Sequence, residues 1–531
     1  MSDTAPKAGE EEPVIGWRAE VENIERERAR AYEMGGELRI KRQHDREKLT
    51  ARERIDELFD PGTFEEIGIL ADHRGAPGGP LEGKYAAADG VVCGAGEIDG
   101  RPAYAFAEDF TVLGGSTGRS GLEKRNRLKD MAGRERLPLI YLLDGAGARG
   151  QEQILGGWAS GKHFFVQARL AGAVPQIAAV MGGLGGDPAL EVPLCDFKII
   201  TKGRGMLATG GPPLVKAALG LDIDKEELGG YKVAAQISGI VDNIASDDHD
   251  AIAQIRRYLS YMPQSCWETP PVVDTGDDPF RVDDGLIDVV PRNRQHPYDM
   301  NRIIEGVVDR GTFFEIQPKF GRALITGFSR IDGHVVGILA NQPKIRAGAF
   351  SGAEADKATH FISVCNSYNI PMVFLTDVPG FMVGPAAERE AILRRGMRVA
   401  WVMAHNRVPI VSVVIRKAYG MGAVAMAGPD SGQVATMVWP SAEFGALPLE
   451  GGVSAAYKNS IEGAEDPEAE RARVRGEHLD ASGPIPDARV FNFDELIDPR
   501  ETRPRIVRAL RRSRARTAQQ VGPWTHSGIF P

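Results

Sequence analysis

The chain has 531 residues, 42% hydrophobic and 26% charged, the proportions of a water-soluble globular protein too long for a single core. Its 64 Lys and Arg against 73 Asp and Glu leave a formal charge of −9, which argues against a nucleic-acid partner. Four well-separated cysteines (Cys93, Cys195, Cys266, Cys365) and the lack of an H-E-x-x-H spacing argue against a zinc site or a disulfide framework, so no metal is expected.

Taken in order, residues 1–13 are polar and acidic (Glu10 to Glu12) and are expected to be disordered. No run approaches the roughly 18 apolar residues that cross a bilayer, so a cytoplasmic protein without a membrane partner is expected. Beyond them the second half repeats the first. Gly62-Thr63-Phe64 returns as Gly311-Thr312-Phe313, and Ile98-Asp99-Gly100 returns 233 residues on as Ile331-Asp332-Gly333. "LPLIYLLDGAG" around Asp144 is echoed 233 residues on by "IPMVFLTDVPG" around Asp377. "AVPQIAAVMGG" is echoed by "RVPIVSVVIRK", with prolines 234 apart. Each copy reads as two strands at a tight turn, a helix (Gly121 to Ala132; Ala353 to Cys365) and a buried strand ending at the aspartate. A second helix and another buried strand follow, ending in a glycine-rich corner. Ile392, Gly396, Ala400 and Met403 give that second helix its spacing. The alternation predicts an α/β layered fold in two tandem domains, 14–285 and 286–531, linked through the Pro-, Asp- and Gly-rich stretch Pro270 to Asp299. A loop is expected at 481–491, and the basic run Arg503 to Arg516 reads as a solvated C-terminal helix.

Chemistry is expected at the corners "MGGLGGDPA" (181–189) and "RKAYGMGA" (416–423), at the C-terminal ends of buried strands where α/β layers bind ligands. A backbone N–H uncrowded by a Cβ can donate there to an oxygen that gains charge, a contribution of roughly 3–4 kcal/mol to a transition state. One such corner alone could be a close-packed turn. Two in register across a duplication point to function.

These residues, with "KLTARERIDELFDPGTFEEIG" (48–68), "DGVVCGAGEIDGRPAYAFAEDFTVLGGS" (89–116), "DGAGARGQE" (144–152), "EELGG" (226–230), "GILANQP" (337–343), "NIPMVFLTDVPGFMVG" (369–384) and "DELIDPRETR" (494–503), resemble one family. It is the carboxyltransferase (β) subunit of biotin-dependent acyl-CoA carboxylases. The resemblance implies two tandem crotonase-like domains of stacked β-β-α units, assembled as a hexamer with each active site shared between two chains. It further implies acyl-CoA on the first domain and carboxybiotin, delivered on a separate carrier, on the second. Carboxybiotin loses CO2, the biotin anion takes the proton from the α-carbon of the acyl-CoA, and the resulting enolate attacks CO2; two oxyanion holes stabilise the two enolates, with no side-chain base required. Carried over residue by residue, the donors are Met421 and Gly422 on the biotin side and Gly186 and Asp187 on the acyl side. Gly147, Ala148, Arg149, Gly185 and Val424 are implied at the acyl-CoA, and Pro379, Gly380, Phe381 and Tyr419 at biotin. The chain has neither an M-K-M biotin attachment sequence nor an ATP-handling loop, so a biotin carboxylase and a biotin carrier are expected as partners.

The chain departs from the family at Gly186-Asp187-Pro188, where a small residue usually follows two glycines. Local rules read Asp187 as a helix N-cap and Pro188 as N1. Ala234 and Ala235 stand where histidine is frequent, and Val424 where some members carry aspartate. These departures leave two other readings: a biotin-independent acyl-CoA decarboxylase or transcarboxylase using Asp187, or a non-catalytic paralogue in a mixed hexamer.

Overall fold

The computed structural model describes residues 16–73, 80–153, 161–427, 433–446, 449–481 and 483–524. The stretch 1–13, expected to be disordered, lies outside them. The first half contributes β1 (Glu65–Glu66), β2 (Val91–Ile98), β3 (Arg101–Glu108), β4 (Leu139–Leu143), β5 (Gln176–Val180), β6 (Gly183–Gly185), β7 (Phe197–Thr201), β8 (Met206–Ala208) and β9 (Asn243–Ala245). The second contributes β10 (Phe314–Ile316), β11 (Leu324–Ile331), β12 (His334–Asn341), β13 (Met372–Val378), β14 (Ile410–Tyr419), β15 (Gln433–Val438), β16 (Glu443–Gly445) and β17 (Glu495–Leu496).

The two main sheets have one order, β1-β2-β3-β4-β5-β7-β9 and β10-β11-β12-β13-β14-β15-β17; β16 pairs β14, and β6 pairs β8 separately. The hairpins β2/β3 and β11/β12 turn at Asp99-Gly100 and Asp332-Gly333, with all four residues at positive φ. That is the two-residue turn for which Asp-Gly is suited. From β3 and β12 onward the strands are parallel, so helices cover them, and every residue of β4, β5, β7 and β13 is buried. The starts of β2 and β11, β3 and β12, and β4 and β13 lie 233 residues apart, as do those of the helices Arg119–Glu135 and Gly352–Ser367; β5 and β14 start 234 apart. The repeat in the sequence is a repeat in structure.

The halves share a core. Phe197 stacks on Tyr258 at 4.5 Å, Tyr258 meets Phe328 edge-on at 5.8 Å, and Phe328 lies 4.9 Å from Phe361. Two expectations change. Pro484–Arg489 is a short helix within the stretch read as a loop, entered through Gly483 with Pro484 in its first turn. The C-terminal helix, Thr502–Gln519, is seated rather than solvated: Ile506, Val507, Ala509 and Leu510 are buried. Arg503 is buried with them, donating to Val307 O at 2.9 Å and Asp309 at 2.7 Å. Among the described residues no helix is long and apolar enough to cross a membrane.

Candidate active site

β13 ends within one residue of Asp377, and β4 runs straight into Asp144; both carboxylates are fully buried. An ionised group there needs partners. Asp377 Oδ2 accepts from Tyr298 Oη (2.8 Å) and Arg416 Nε (3.1 Å), while Oδ1 meets Lys417 Nζ (2.8 Å) and Lys417 N (3.1 Å). The two basic residues that end "VPIVSVVIRK" are there to neutralise this carboxylate. Asp144 draws its partners from far upstream: Lys48 Nζ at 2.6 Å, Gln43 Nε2 at 2.9 Å and Arg54 at 3.0 Å. Burial alone would raise its pKa, but Arg54 and Lys48 outweigh it and hold the carboxyl below the usual range. At the 234-residue spacing, Gly182 and Gly183 take the places of Arg416 and Lys417. Gly182 must be bare, because a Cβ would fall 1.7 Å from Asp144 Oδ1 and 2.9 Å from Lys48 Nζ.

Around these anchors the corners share a frame. Thr117 N donates to Gly147 O and Arg149 N to Thr117 O, both at 2.9 Å. In the second half Phe350 N donates to Gly380 O (3.1 Å) and Met382 N to Phe350 O (2.7 Å). Each corner then enters a short helix through a glycine at positive φ: Gly186 (76°) before Asp187–Glu191, and Gly420 (52°) at the start of Gly420–Ala425. Met421 and Gly422 lie in the first turn, where N–H groups have no intrahelical acceptor. Among the described residues neither N–H has a hydrogen-bond partner. Gly422 is also required by packing, since a Cβ would fall 2.7 Å from Gly380 Cα.

The acyl-side corner differs from expectation. Gly186 N–H already donates to Thr209 O at 3.1 Å, so it is spent. The cap is Gly186, not Asp187; Asp187 is N1, Pro188 is N2, and no side chain caps the helix. The positive φ of Gly186 delays helix entry by one residue and leaves the Asp187 carboxylate exposed. Pro188 stands 234 residues before Gly422 and has no N–H to offer. Of the predicted acyl-side pair, Asp187 N–H is the one without a partner among the described residues.

Gly147, Ala148 and Gly185 meet at this corner: a Cβ on Gly147 would stand 2.5 Å from Gly185 O. Arg149 is turned inward, its buried guanidinium bound to Asp89, Glu152 (2.8 Å) and Ser116 O (2.7 Å). It holds the loop and does not project toward a ligand. Pro379 and Gly380 lead into Phe381, whose ring stacks on Phe350 at 5.9 Å. Tyr419 is buried, with its hydroxyl donating to Glu443 at 2.7 Å. Met421 and Val424 are exposed beside the biotin-side corner, and Ala234 and Ala235 are plain core. Behind the acyl-side helix, Arg125 bridges Glu108 and Glu191, and Lys129 holds Glu191 at 2.7 Å. Burial pushes Glu108 up to about 7 against the Arg125 charge.

Two halves of one topology, with Asp187 N–H without a partner at one corner and Met421 and Gly422 N–H without one at the other among the described residues, have a crotonase-like architecture in which an enzyme can stabilise an oxyanion. The family model "Carboxyl transferase domain" matches residues 42–529. The chain is 38% identical over 503 residues to the propionyl-CoA carboxylase carboxyltransferase subunit of Haloferax mediterranei, covering 94% of this chain and 97% of that one. It is 37% identical to the methylmalonyl-CoA decarboxylase subunit alpha of Veillonella parvula, over 92% and 95% of the two. It matches the crystal structure of transcarboxylase 12S, a hexamer with methylmalonyl-CoA bound, with a TM-score of 0.91 and 36% identity over 98% and 100% of the chains. The chain belongs to the carboxyl transferase family: it is a carboxyltransferase subunit of the acyl-CoA carboxylase kind, with acyl-CoA as substrate. The decarboxylase built on Asp187 and the non-catalytic paralogue are not favoured.

Proposed function

We propose that the protein carboxylates the α-carbon, or a vinylogous γ-carbon, of a short acyl-CoA, in the size range of the propionyl and methylmalonyl groups in its relatives' names. The observation that carries this reading is the pair of equivalent corners with unspent N–H groups. The acyl-CoA half, 14–285, presents Asp187 N–H to the thioester oxygen. The biotin half, 286–531, presents Met421 and Gly422 N–H to the ureido oxygen, and this bare first turn beside Gly380 fits such an acceptor. Carboxybiotin, borne by a biotin carrier and charged by a biotin carboxylase on other chains, supplies the carboxyl group. The chain's own part is to place the α-carbon and hold negative charge on the thioester oxygen. Each half exposes large apolar side chains, Leu214 and Leu219 in the first and Val383 and Leu393 in the second, which suits a homo-oligomer, most naturally a hexamer, that joins one chain's first half to another's second and works in the cytoplasm.

The test reconstitutes carboxyl transfer from a charged biotin carrier. Gly422→Pro removes one N–H and crowds Gly380, so it should cut transfer by at least about 10²- to 10³-fold while acyl-CoA affinity stays within a few-fold. A collapse of acyl-CoA affinity with transfer intact would mean that the corners are assigned the wrong way round.

A further inference from the structure

Lys225 stands at the acyl-side corner with its charge unspent. It opens the short helix Lys225–Gly229, which Asp224 caps by accepting from Glu227 N at 2.8 Å. Its stem lies across Gly183, where a Cβ would meet Nζ at 3.1 Å, Cε at 3.6 Å and Cδ at 3.8 Å. Gly183 opens β6, the strand that leads directly into Gly186 and Asp187. Among the described residues the ammonium makes no hydrogen bond and no ion pair, and Lys225 is exposed.

The duplication shows that this charge is surplus to the anchor. In the second half the residue matching Gly183 is itself a lysine, Lys417, and its amine is committed to Asp377 at 2.8 Å. In the first half the equivalent carboxylate, Asp144, already has Lys48 and Arg54. Lys225 therefore brings to the corner a charge that the buried aspartate does not use. A lysine whose stem rests on a bare stretch of strand, beside a corner that handles oxyanions, is positioned to meet an anion.

Resting on the acyl-CoA reading above, we infer that Lys225 binds an anionic group of the bound thioester, either an acyl carboxylate or a coenzyme A phosphate. It thereby sets the preference of the first half for thioesters that carry that anion. The test is calorimetric binding of propionyl-CoA, methylmalonyl-CoA and methylmalonyl-pantetheine to the full chain. Lys225→Met keeps most of the stem and removes the charge, and should weaken the responsive ligands about tenfold or more. Lys225→Arg keeps the charge and should stay within about threefold of the parent. Loss confined to the two methylmalonyl thioesters identifies the carboxylate; loss confined to the two coenzyme A thioesters identifies the phosphates. In either case added salt weakens the parent more than the Met variant. Equal affinity of parent and Met variant for all three ligands overturns the inference, as does an Arg variant as weak as the Met one, which would mean a packing role. A parent that binds none of the three overturns the acyl-CoA reading as well.

Discussion

Gly182→Ala and Gly183→Ala are the same substitution at adjacent residues, and the structure predicts opposite outcomes. At Gly182 the methyl carbon would fall 1.7 Å from Asp144 Oδ1 and 2.9 Å from Lys48 Nζ, inside a fully buried carboxylate with Arg54 on its other side. The aspartate cannot retreat without leaving a partner, so the cost is that of breaking a buried ion pair, about 3–5 kcal/mol. Because the two halves share a core, the unit that unfolds is about 500 residues, each kcal/mol lowers its midpoint by about 1 °C, and a fall of about 3–5 °C is expected. At Gly183 the nearest atom is the flexible end of Lys225, at 3.1 Å, which can swing into water. That change should cost under about 1 kcal/mol. Scanning calorimetry on the two variants decides the matter, with Lys48→Met added to both. If the methyl introduced by Gly182→Ala acts by displacing the Lys48 amine, the double variant costs less than the sum of the singles. Midpoints for the two alanine variants within about 2 °C of each other would refute the anchor argument.

Asp187→Asn removes a charge from an exposed side chain that caps nothing, so stability should move by under about 0.5 kcal/mol and carboxylation should hold or rise. A loss beyond about a hundredfold at unchanged midpoint would make Asp187 a proton carrier. Pro188→Ala restores to the acyl-side corner the N–H that Gly422 supplies on the other side; transfer should hold or quicken, at a cost of about 1 kcal/mol or less in stability, and a slower enzyme would show that one donor is the intended number. Burial pushes Asp196 up to about 7, outweighing the hydrogen bonds from Tyr368 and Gln176. Its folded pKa thus stands above the ordinary 3.8, so its stabilising contribution is whole below that value and is lost as pH rises through about 7. The melting temperature of Asp196→Asn should therefore gain on the parent's across that window, and parallel curves would count against it.

The fold was legible wherever one local signal sufficed. Asp-Gly at two hairpin turns, apolar runs closed by aspartates and a constant spacing placed the strands and helices of both halves. What stayed hidden depended on contacts between distant residues. Nothing near Lys48 or Arg54 shows that they belong to Asp144, 96 and 90 residues on, because a buried ion pair leaves no periodic trace. The second half gave a clue the first did not: Arg416 and Lys417 close an apolar strand, and a charge in such a place requires a partner. Asp187 misled for the opposite reason. Local rules make Asp before Pro a cap, but the glycine ahead of it takes a positive φ and assumes that position.

The same comparison gives the two corners different strengths. Both keep the loop frame, the entering glycine and the anchored aspartate, so the duplication preserved the means of holding a backbone bare. They diverge at one residue: Gly422 retains its N–H, whereas Pro188 has none and Thr209 takes that of Gly186. A corner with two first-turn donors suits an acceptor that must take up negative charge, and the ureido oxygen of biotin, onto which charge moves when the ring nitrogen loses its carboxyl, is of that kind. A corner with one donor and an exposed carboxylate at N1 stabilises an enolate less by itself. At about 4 Å and an effective dielectric between roughly 20 and 80, that carboxylate opposes the enolate by about 1–4 kcal/mol. The cation that the first half adds at the same corner, Lys225, has the sign needed to offset it. On this argument Lys225→Met and Asp187→Asn act on one balance of charge. The double variant should transfer faster than the product of the two single effects, and rates that simply multiply would show that the two groups act on different parts of the substrate.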